Sequence, residues 1–290
     1  MKLRVATLNI WNRQGPWESR RDLIKRELAA LAPDLCGLQE VLRFVAPAGA
    51  SAQAVADAST PAADQSRELA EGLGYHTAYA TAWNIGGGLS FGNALLSRWP
   101  VRETRTLELP TGGTSESRSA LYALVEAPFG AVPVFVTHLN WKFHHGYVRL
   151  EQVRALAAWI MELAPTGAGF PPVLLGDFNA EPDSDEIRYL RGLSVQHGRS
   201  VYFCDAFAYA GDGGPGATFC RSNGYTAVAH EQSRRIDYVF VRGPDRDGRG
   251  KPLSARLCFT ARMRGAGGEV WPSDHYGVVC DLQASPIASG

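Results

Sequence analysis

Val173-Leu174-Leu175-Gly176-Asp177-Phe178-Asn179 is the stretch on which the reading of this chain turns. An aliphatic run without polar alternation reads as a strand covered on both faces, and this one ends abruptly in a carboxylate and an amide. Spacing of i, i+2 in an extended segment puts Asp177 and Asn179 on one face. Working outward, comparable apolar runs occupy residues 3–10, 35–38, 94–96, 121–125, 132–137, 236–241 and 278–282. Helical periodicity lies between them. Residues 19–31 place Leu23, Ile24, Leu28 and Leu31 on one stripe, with Ser19 or Asp22 near the start; residues 67–73 stop at Gly74; residues 148–163 end before Pro165. Alternating strands and helices predict an α/β (α+β) architecture with sheets packed between helices.

Lys+Arg and Asp+Glu are equal at 29 each, so no global field draws the protein onto a duplex or an anionic membrane. An anionic substrate must therefore be held locally, by a metal or a few placed cations. With 45% hydrophobic residues, the 290-residue chain can bury a core, and without repeats or a linker it reads as one domain over 1–290. The Ala/Ser/Pro-rich segment 47–64 reads as a surface insertion, 210–217 as a Gly-rich loop and 243–252 as a hairpin tip or surface loop. The opening MKLRVATLNIW is too short in apolar residues for a secretory signal, and no later run has the length of a transmembrane span. The expectation is a soluble, cytoplasmic monomer. Five widely spaced cysteines form no metal or redox pair and read as reduced, mostly buried thiols; Cys204 and Cys220 flank the Gly-rich loop and would bridge only in an oxidising compartment.

Chemistry-bearing residues recur at the ends of the apolar runs, where a sheet holds them rigidly. Asn9 ends the first run; alone, it is as well explained as a turn residue. Glu40 directly continues residues 35–38, and a carboxylate there needs a partner or a cation. His138 closes 132–137, a setting equally suited to a structural, hydrogen-bonded imidazole. Asp177 and Asn179 together suit a metal-bound water or a phosphate oxygen better than an ordinary turn. Asp237 lies within an apolar strand and has two readings: it pairs with Arg234 or Arg235, or it holds His275 of Asp274-His275 in one tautomer, making an acid or base of the imidazole.

In order, these blocks read N, QE, THL, GDFN, IDYV and SDH, and the chain so resembles the endonuclease/exonuclease/phosphatase superfamily over residues 3–282. Gly92-Asn93-Ala94-Leu95-Leu96-Ser97-Arg98-Trp99-Pro100 and the Arg149, Gln152 pair also look like family signatures. The resemblance implies a four-layer sandwich of two mixed β-sheets flanked by helices, with the site at one end. It implies Mg²⁺ or Mn²⁺ held chiefly by Glu40, with Asn9 and Asp274 contacting it directly or through water. It further implies that His138 binds a non-bridging phosphate oxygen and that Asp177 and Asn179 orient the attacking water. His275, steadied by Asp237, would serve as general base or as a donor to the charged transition state, and the base remains open between Asp177 and His275.

The reaction class expected is a divalent-metal-dependent hydrolase of phosphate esters, chiefly a phosphodiesterase on a small or lipid-like substrate. A nuclease acting on single-stranded or damaged nucleic acid and a catalytically inactive binding scaffold are the alternatives. Trp11 stands where abasic-site endonucleases carry an acidic residue, which disfavours that branch. Trp141-Lys142-Phe143-His144-His145 mixes aromatics and cations beside the site, suited to a base, a choline-like or sugar headgroup, or simple packing. The Arg-rich stretch 234–251 reads as a solvated loop or a contact for a backbone phosphate.

Overall fold

Period-two alternation in the central strands sends successive side chains to two different cores, and this builds the layers. In residues 173–175, Val173 and Leu175 join one buried cluster and Leu174 another. Val239 and Val241 likewise face the first while Tyr238 and Phe240 face the second. Both faces are covered, which is why no polar alternation marks these strands. The computed structural model describes residues 1–46, 49, 51, 53, 63–265 and 267–285.

Two six-stranded sheets result. The first runs β11 (Pro252–Cys258), β14 (Gly277–Gln283), β1 (Lys2–Asn9), β2 (Leu35–Phe44), β4 (Leu89–Ser97), β3 (His76–Gly86). The second runs β5 (Val101–Glu108), β6 (Ser119–Ala127), β7 (Gly130–His138), β8 (Val173–Asp177), β10 (Asp237–Val241), β9 (Cys204–Asp205). Each is mixed: β1/β2 and β7/β8 are parallel, their other pairings antiparallel. A separate hairpin joins β12 (Met263–Gly265) to β13 (Gly268–Val270). Helices α1 (Trp17–Leu31) and α2 (Gln65–Ala70) cover the outer face of the first sheet. Helices α3 (Gly146–Leu163) and α4 (Asp185–Leu190) cover that of the second, and α5 (Ala206–Ala210) and α6 (Gly224–Ala227) are single turns in the later connections. This is the expected four-layer α/β sandwich.

Between the sheets the packing is close. A Cβ on Gly37 of β2 would lie 3.0 Å from the Leu175 Cβ and 3.2 Å from a Val136 methyl. Within the second sheet, a Cβ on Gly176 would lie 2.2 Å from the Thr137 carbonyl oxygen. Both glycines are there because a side chain would not fit, and both precede site residues.

Edge strands escaped the sequence reading. β3, β5 and β11 lie at sheet edges, and β5 alternates half-buried and exposed positions, so hydrophobic runs marked mainly the central strands. Helix α1 starts before Ser19: its N-cap is Pro16, with no side-chain cap, because the buried Trp17 extends the apolar stripe backward. Residues 243–252 are not a hairpin tip; they carry the chain from β10 of the second sheet to β11 of the first. Most of the expected insertion at 47–64 lies outside the described residues, but its last residue, Asp64, caps α2 by accepting from the Ser66 and Arg67 amides. All five cysteines are free, Cys204 and Cys220 included. No helix among the described residues is long and apolar enough to cross a membrane.

Candidate active site

The parallel pairs set the location, since β1/β2 and β7/β8 bring their C-terminal ends to the same end of the sandwich. In the second sheet the register places His138 beside Asp177 on one side and Asp237 beside it on the other. Asp177 is thus the centre of a three-strand polar row, all of it buried. From the first sheet, Asn9 arrives at the end of β1, opposite Gln39.

Glu40 reaches the site by a β-bulge. Leu38 pairs with Ala94 and Val41 with Gly92, so β2 carries one residue more than β4 over this interval, and Glu40 sits at φ 60°. The extra residue turns its carboxylate out of the strand's alternation. Asn179, at φ 49°, is likewise left-handed and lies past the strand end, so the simple alternation expected for Asp177 and Asn179 does not hold. An Asx turn replaces it: the Asn179 amide donates to Asp177 Oδ1 at 2.9 Å.

Side-chain amides stitch the two halves. Asn9 Nδ2 donates to Glu40 Oε1 at 3.2 Å and across the sheets to Asp177 Oδ2 at 3.0 Å, while its oxygen accepts from the Trp11 amide at 2.9 Å. Asn12 Nδ2 holds the other Glu40 oxygen at 3.0 Å. Asn179 Nδ2 donates to the Leu139 carbonyl and faces His138 Nε2, each at 3.1 Å. His275 Nδ1 and Asp237 Oδ2 are 2.9 Å apart, and His275 Nε2 lies 3.8 Å from Asp177 Oδ2. Ser273 orders the loop before β14, donating to the Asn9 carbonyl at 2.6 Å and accepting from the His275 amide at 3.2 Å; its Oγ lies 3.1 Å from Asp274 Oδ1.

Burial sharpens these charges. It pushes Asp177 up to about 7, with the Asp237 charge adding to the effect. Burial also lifts Asp274, to about 6, with Glu40 contributing. His138 is driven well below its ordinary range by burial, then by Arg118 and His275, and is a neutral imidazole. For His275, burial pulls downward, but Asp237, Asp274 and Asp177 together outweigh it and raise the imidazole well above its ordinary range.

Asn9, Glu40, His138, Asp177, Asn179 and His275 line one pocket of about 300 Å³. Asp237 is fully buried behind His275, and Asp274 stands beside Ser273. Of the two pairings open to Asp237, the structure has the one with His275; Arg234 pairs with Glu231 and Arg235 with Asp205. The ligand atoms of Asp177, Asp237 and His275 lie within 4.8 Å of one another.

Some neighbours escaped the sequence reading. Asn12 stands outside every block that the sequence singled out for the site. So does Arg20 of α1, which is fully buried between the Trp11 and Trp17 rings, 5.0 and 5.4 Å from their centres, and donates to the Ile10 and Asn12 carbonyls. Arg118, Phe219 and Glu231 line the same pocket from connecting segments that carry no strand signal, and so does Arg234, the first residue of the Arg-rich stretch for which a phosphate contact is one of two readings. The segment after His138 is held from beneath by Arg149, which donates to the carbonyls of Asn140, Lys142 and Phe143 and pairs with the buried Glu186 at 2.5 Å. Trp141 and Phe143, more than half exposed, stand on that anchored backbone.

Comparison with known proteins agrees with this architecture. The Endonuclease/Exonuclease/phosphatase family model matches residues 6–275. No curated protein matches the sequence. Among solved structures, an endonuclease/exonuclease/phosphatase from Beutenbergia cavernae is 27% identical, with a TM-score of 0.69 over 97% of this chain and 71% of that one. TDP2 of D. rerio, solved with a single-strand DNA product, is similar in fold at 19% identity, with a TM-score of 0.71 over 97% and 99% of the two chains. The human Nocturnin catalytic domain, solved with a sulfate anion, is similar at 18% identity, with a TM-score of 0.67 over 97% and 94%. With its two mixed sheets and a family match spanning nearly all of its length, the chain belongs to the endonuclease/exonuclease/phosphatase family of metal-dependent phosphoesterases.

Proposed function

We propose that this protein hydrolyses phosphate esters with a divalent cation, Mg²⁺ or Mn²⁺, and acts as a phosphodiesterase on a small or lipid-like substrate. One observation carries the reading: the buried row His138, Asp177, Asp237 is joined through the Asn9 amide to Glu40, so water-orienting and metal-binding groups meet within one hydrogen-bonded pocket.

The donor set suits a hard cation. Glu40 is aimed by a bulge and steadied by two amides, and the carboxyls of Asp177 and Asp274 are raised by crowded, buried negative charge that a divalent ion relieves. Glu40 and Asp274 would hold the ion. Asn9 mainly orients Glu40 and Asp177, and the second lone pair of its oxygen is what it has left for the ion or its water. When bound, the ion supplies charge neutralisation at the phosphoryl oxygens.

The remaining work falls to the protein. Asp177 Oδ2 accepts a proton from the attacking water, and Asn179 helps to orient that water. His275, with Nδ1 donating to Asp237, presents Nε2 toward the pocket as the proton donor that offsets charge on the reacting phosphoryl group. His138, neutral and with Nε2 facing the Asn179 amide, helps to position Asn179 and transfers no proton.

A second reading, a nuclease on single strands, is favoured by Trp141 and Phe143, which stand exposed on anchored backbone beside the pocket where bases can stack. Assaying bis(p-nitrophenyl) phosphate, p-nitrophenyl phosphate, sphingomyelin, inositol phosphates and single-stranded oligonucleotides with Mg²⁺, Mn²⁺ or chelator tests both. Turnover of none of them with either metal overturns the phosphoesterase reading; cleavage of oligonucleotides alone, with steep salt dependence, replaces the small-substrate reading by the nuclease one.

A further inference from the structure

We infer that Arg234 is a specificity-determining residue of this pocket, receiving a second phosphoryl group that the substrate carries beyond the ester to be cut. The inference rests on the phosphoesterase reading above and adds a substrate class to it: esters with two phosphoryl groups.

Arg234 lines the pocket together with His138, Asn179 and His275, although it belongs to the segment leading into β10 and plays no part in the chemistry described. Its guanidinium is held between two rings, with its central carbon 4.6 Å from the Phe143 ring centre and 5.3 Å from that of Phe219. Only 7% of the residue is exposed. Its backbone is equally fixed, exchanging hydrogen bonds with Phe219, whose own backbone bridges His275 and whose ring lies 5.2 Å from the imidazole. The ordering cost of a long cationic side chain has therefore been met before any ligand arrives.

What this cation lacks is a full set of acceptors. A guanidinium has five N–H donors in a planar fork. Among the described residues, Arg234 makes one side-chain hydrogen bond, Nη2 to Glu231 Oε2 at 2.5 Å, and its buried Nε has no partner. The contrast with its neighbour is direct: Arg235 points to the opposite side and places Nη1 on both oxygens of the buried Asp205, at 3.0 and 2.9 Å. Arg118, also in the pocket lining, turns Nε and Nη2 to a single Glu116 oxygen. Arg234 is thus the least committed of these three cations.

Glu231 is the group a ligand must displace. It comes from three residues earlier and is 27% exposed in its side chain, so the carboxylate, unlike the guanidinium it binds, can return to water when a ligand takes its place. A phosphoryl group brings more charge and more acceptor oxygens to the same fork, which favours the exchange. Flanking Phe143 and Phe219 would contact the connector between the two phosphoryl groups.

The test is calorimetric binding of two matched pairs to the full chain in Mg²⁺: thymidine 5′-phosphate against thymidine 3′,5′-bisphosphate, and myo-inositol 1-phosphate against its 1,4-bisphosphate. In the unmodified protein, the bisphosphate of at least one pair is expected to bind about 10-fold more tightly than its partner, as a charge-assisted bidentate contact would give. In R234Q that ratio falls to near unity, and in E231Q, where the competing carboxylate is gone, it rises. Preference in the thymidine pair alone points to a nucleotide source, and preference in the inositol pair alone to a sugar or lipid headgroup. No preference in either pair, a preference that survives in R234Q, or no binding of any of the four compounds overturns the inference; should R234Q fail to fold, an unchanged or lower ratio in E231Q does so. Bis(p-nitrophenyl) phosphate, which has no second phosphoryl group, tests the reaction separately, so the failure of either claim is read independently.

Discussion

His275 Nδ1 lies 2.9 Å from Asp237 Oδ2, and neither residue has any other acid–base partner closer. Asp237 is 0% exposed and its second oxygen has no hydrogen-bond partner among the described residues, so its carboxylate is spent on this one imidazole. Asp237→Asn should lower kcat by about 10²-fold or more, and His275→Ala and Asp177→Asn should do the same, on the scale of lost acid–base groups. Steady-state kinetics on bis(p-nitrophenyl) phosphate, with circular dichroism as the check on folding, measures this; near-normal turnover in all three variants excludes the mechanism.

Asn12 was invisible as a functional residue in the sequence, yet its amide holds Glu40 Oε2 at 3.0 Å. Removing a group that orients a metal ligand typically weakens metal binding by about 10- to 100-fold. Asn12→Ala is expected to raise the Mg²⁺ or Mn²⁺ concentration for half-maximal activity accordingly, and to weaken the metal seen by calorimetry in the absence of substrate. Glu40→Gln should do so more severely. An Asn12→Ala protein with unaltered metal affinity would show that the bulge and the Asn9 amide suffice to aim Glu40.

Arg149 and Glu186 form a buried pair between α3 and α4, with side chains 7% and 3% exposed. Leaving one charge of such a pair uncompensated costs about 3–5 kcal/mol. Glu186→Gln should therefore lose stability on that scale in urea unfolding, and Arg149→Met should in addition loosen the carbonyls of residues 140, 142 and 143 beneath the exposed Trp141. The double variant is expected to lose less than the sum of the two; strict additivity would mean that the two groups do not act as a pair.

Asp281 offers a pH signature away from the site. Arg4 grips it with Nε at 2.7 Å and Nη2 at 3.1 Å, and this hydrogen bonding holds the carboxyl below its ordinary value of 3.8 despite partial burial. A depressed carboxyl contributes stability above its unfolded value and loses it as pH falls through the folded one. Asp281→Asn should thus be less stable than the parent at pH 7, by about 0.5–1 kcal/mol given the partly exposed Arg4. The gap should narrow below about pH 4. A difference that persists unchanged at pH 2.5 would assign the loss to packing.

How much of this was legible in the sequence follows from burial. Central strands such as β1, β7, β8 and β14 announce themselves because both their faces are apolar, and the polar residues that end them stand out by contrast. Edge strands β3 and β5 do not, since water on one side permits any pattern there. Glu40 could be suspected from the cost of ending a buried strand in a carboxylate, but the bulge that aims it depends on a pairing with β4 that no local pattern encodes. Arg20 was hidden for another reason: an arginine is ordinarily on the surface, and here the rings of Trp11 and Trp17 take it inside. Arg234 stood out only as part of an Arg-rich stretch, and its enclosure by Phe143 and Phe219, from positions far apart in the chain, was not legible there.

The two sheets meet through apolar side chains, and at the site end polar bonds cross between them, Asn9 to Asp177 and Asn93 Nδ2 to the Ser119 carbonyl at 2.9 Å. Each sheet thus carries half of a mould whose seam runs through the reacting atoms. Gly37, packed against Leu175 and Val136, sits at that seam, and a methyl group added there would wedge the halves apart while leaving every strand's own ladder whole. A displacement of about 1 Å at reacting groups can cost about 10²-fold in rate. The enzyme can therefore be silenced by misalignment well before it unfolds, and its turnover is a more sensitive gauge of how the sheets are seated than any measure of secondary structure.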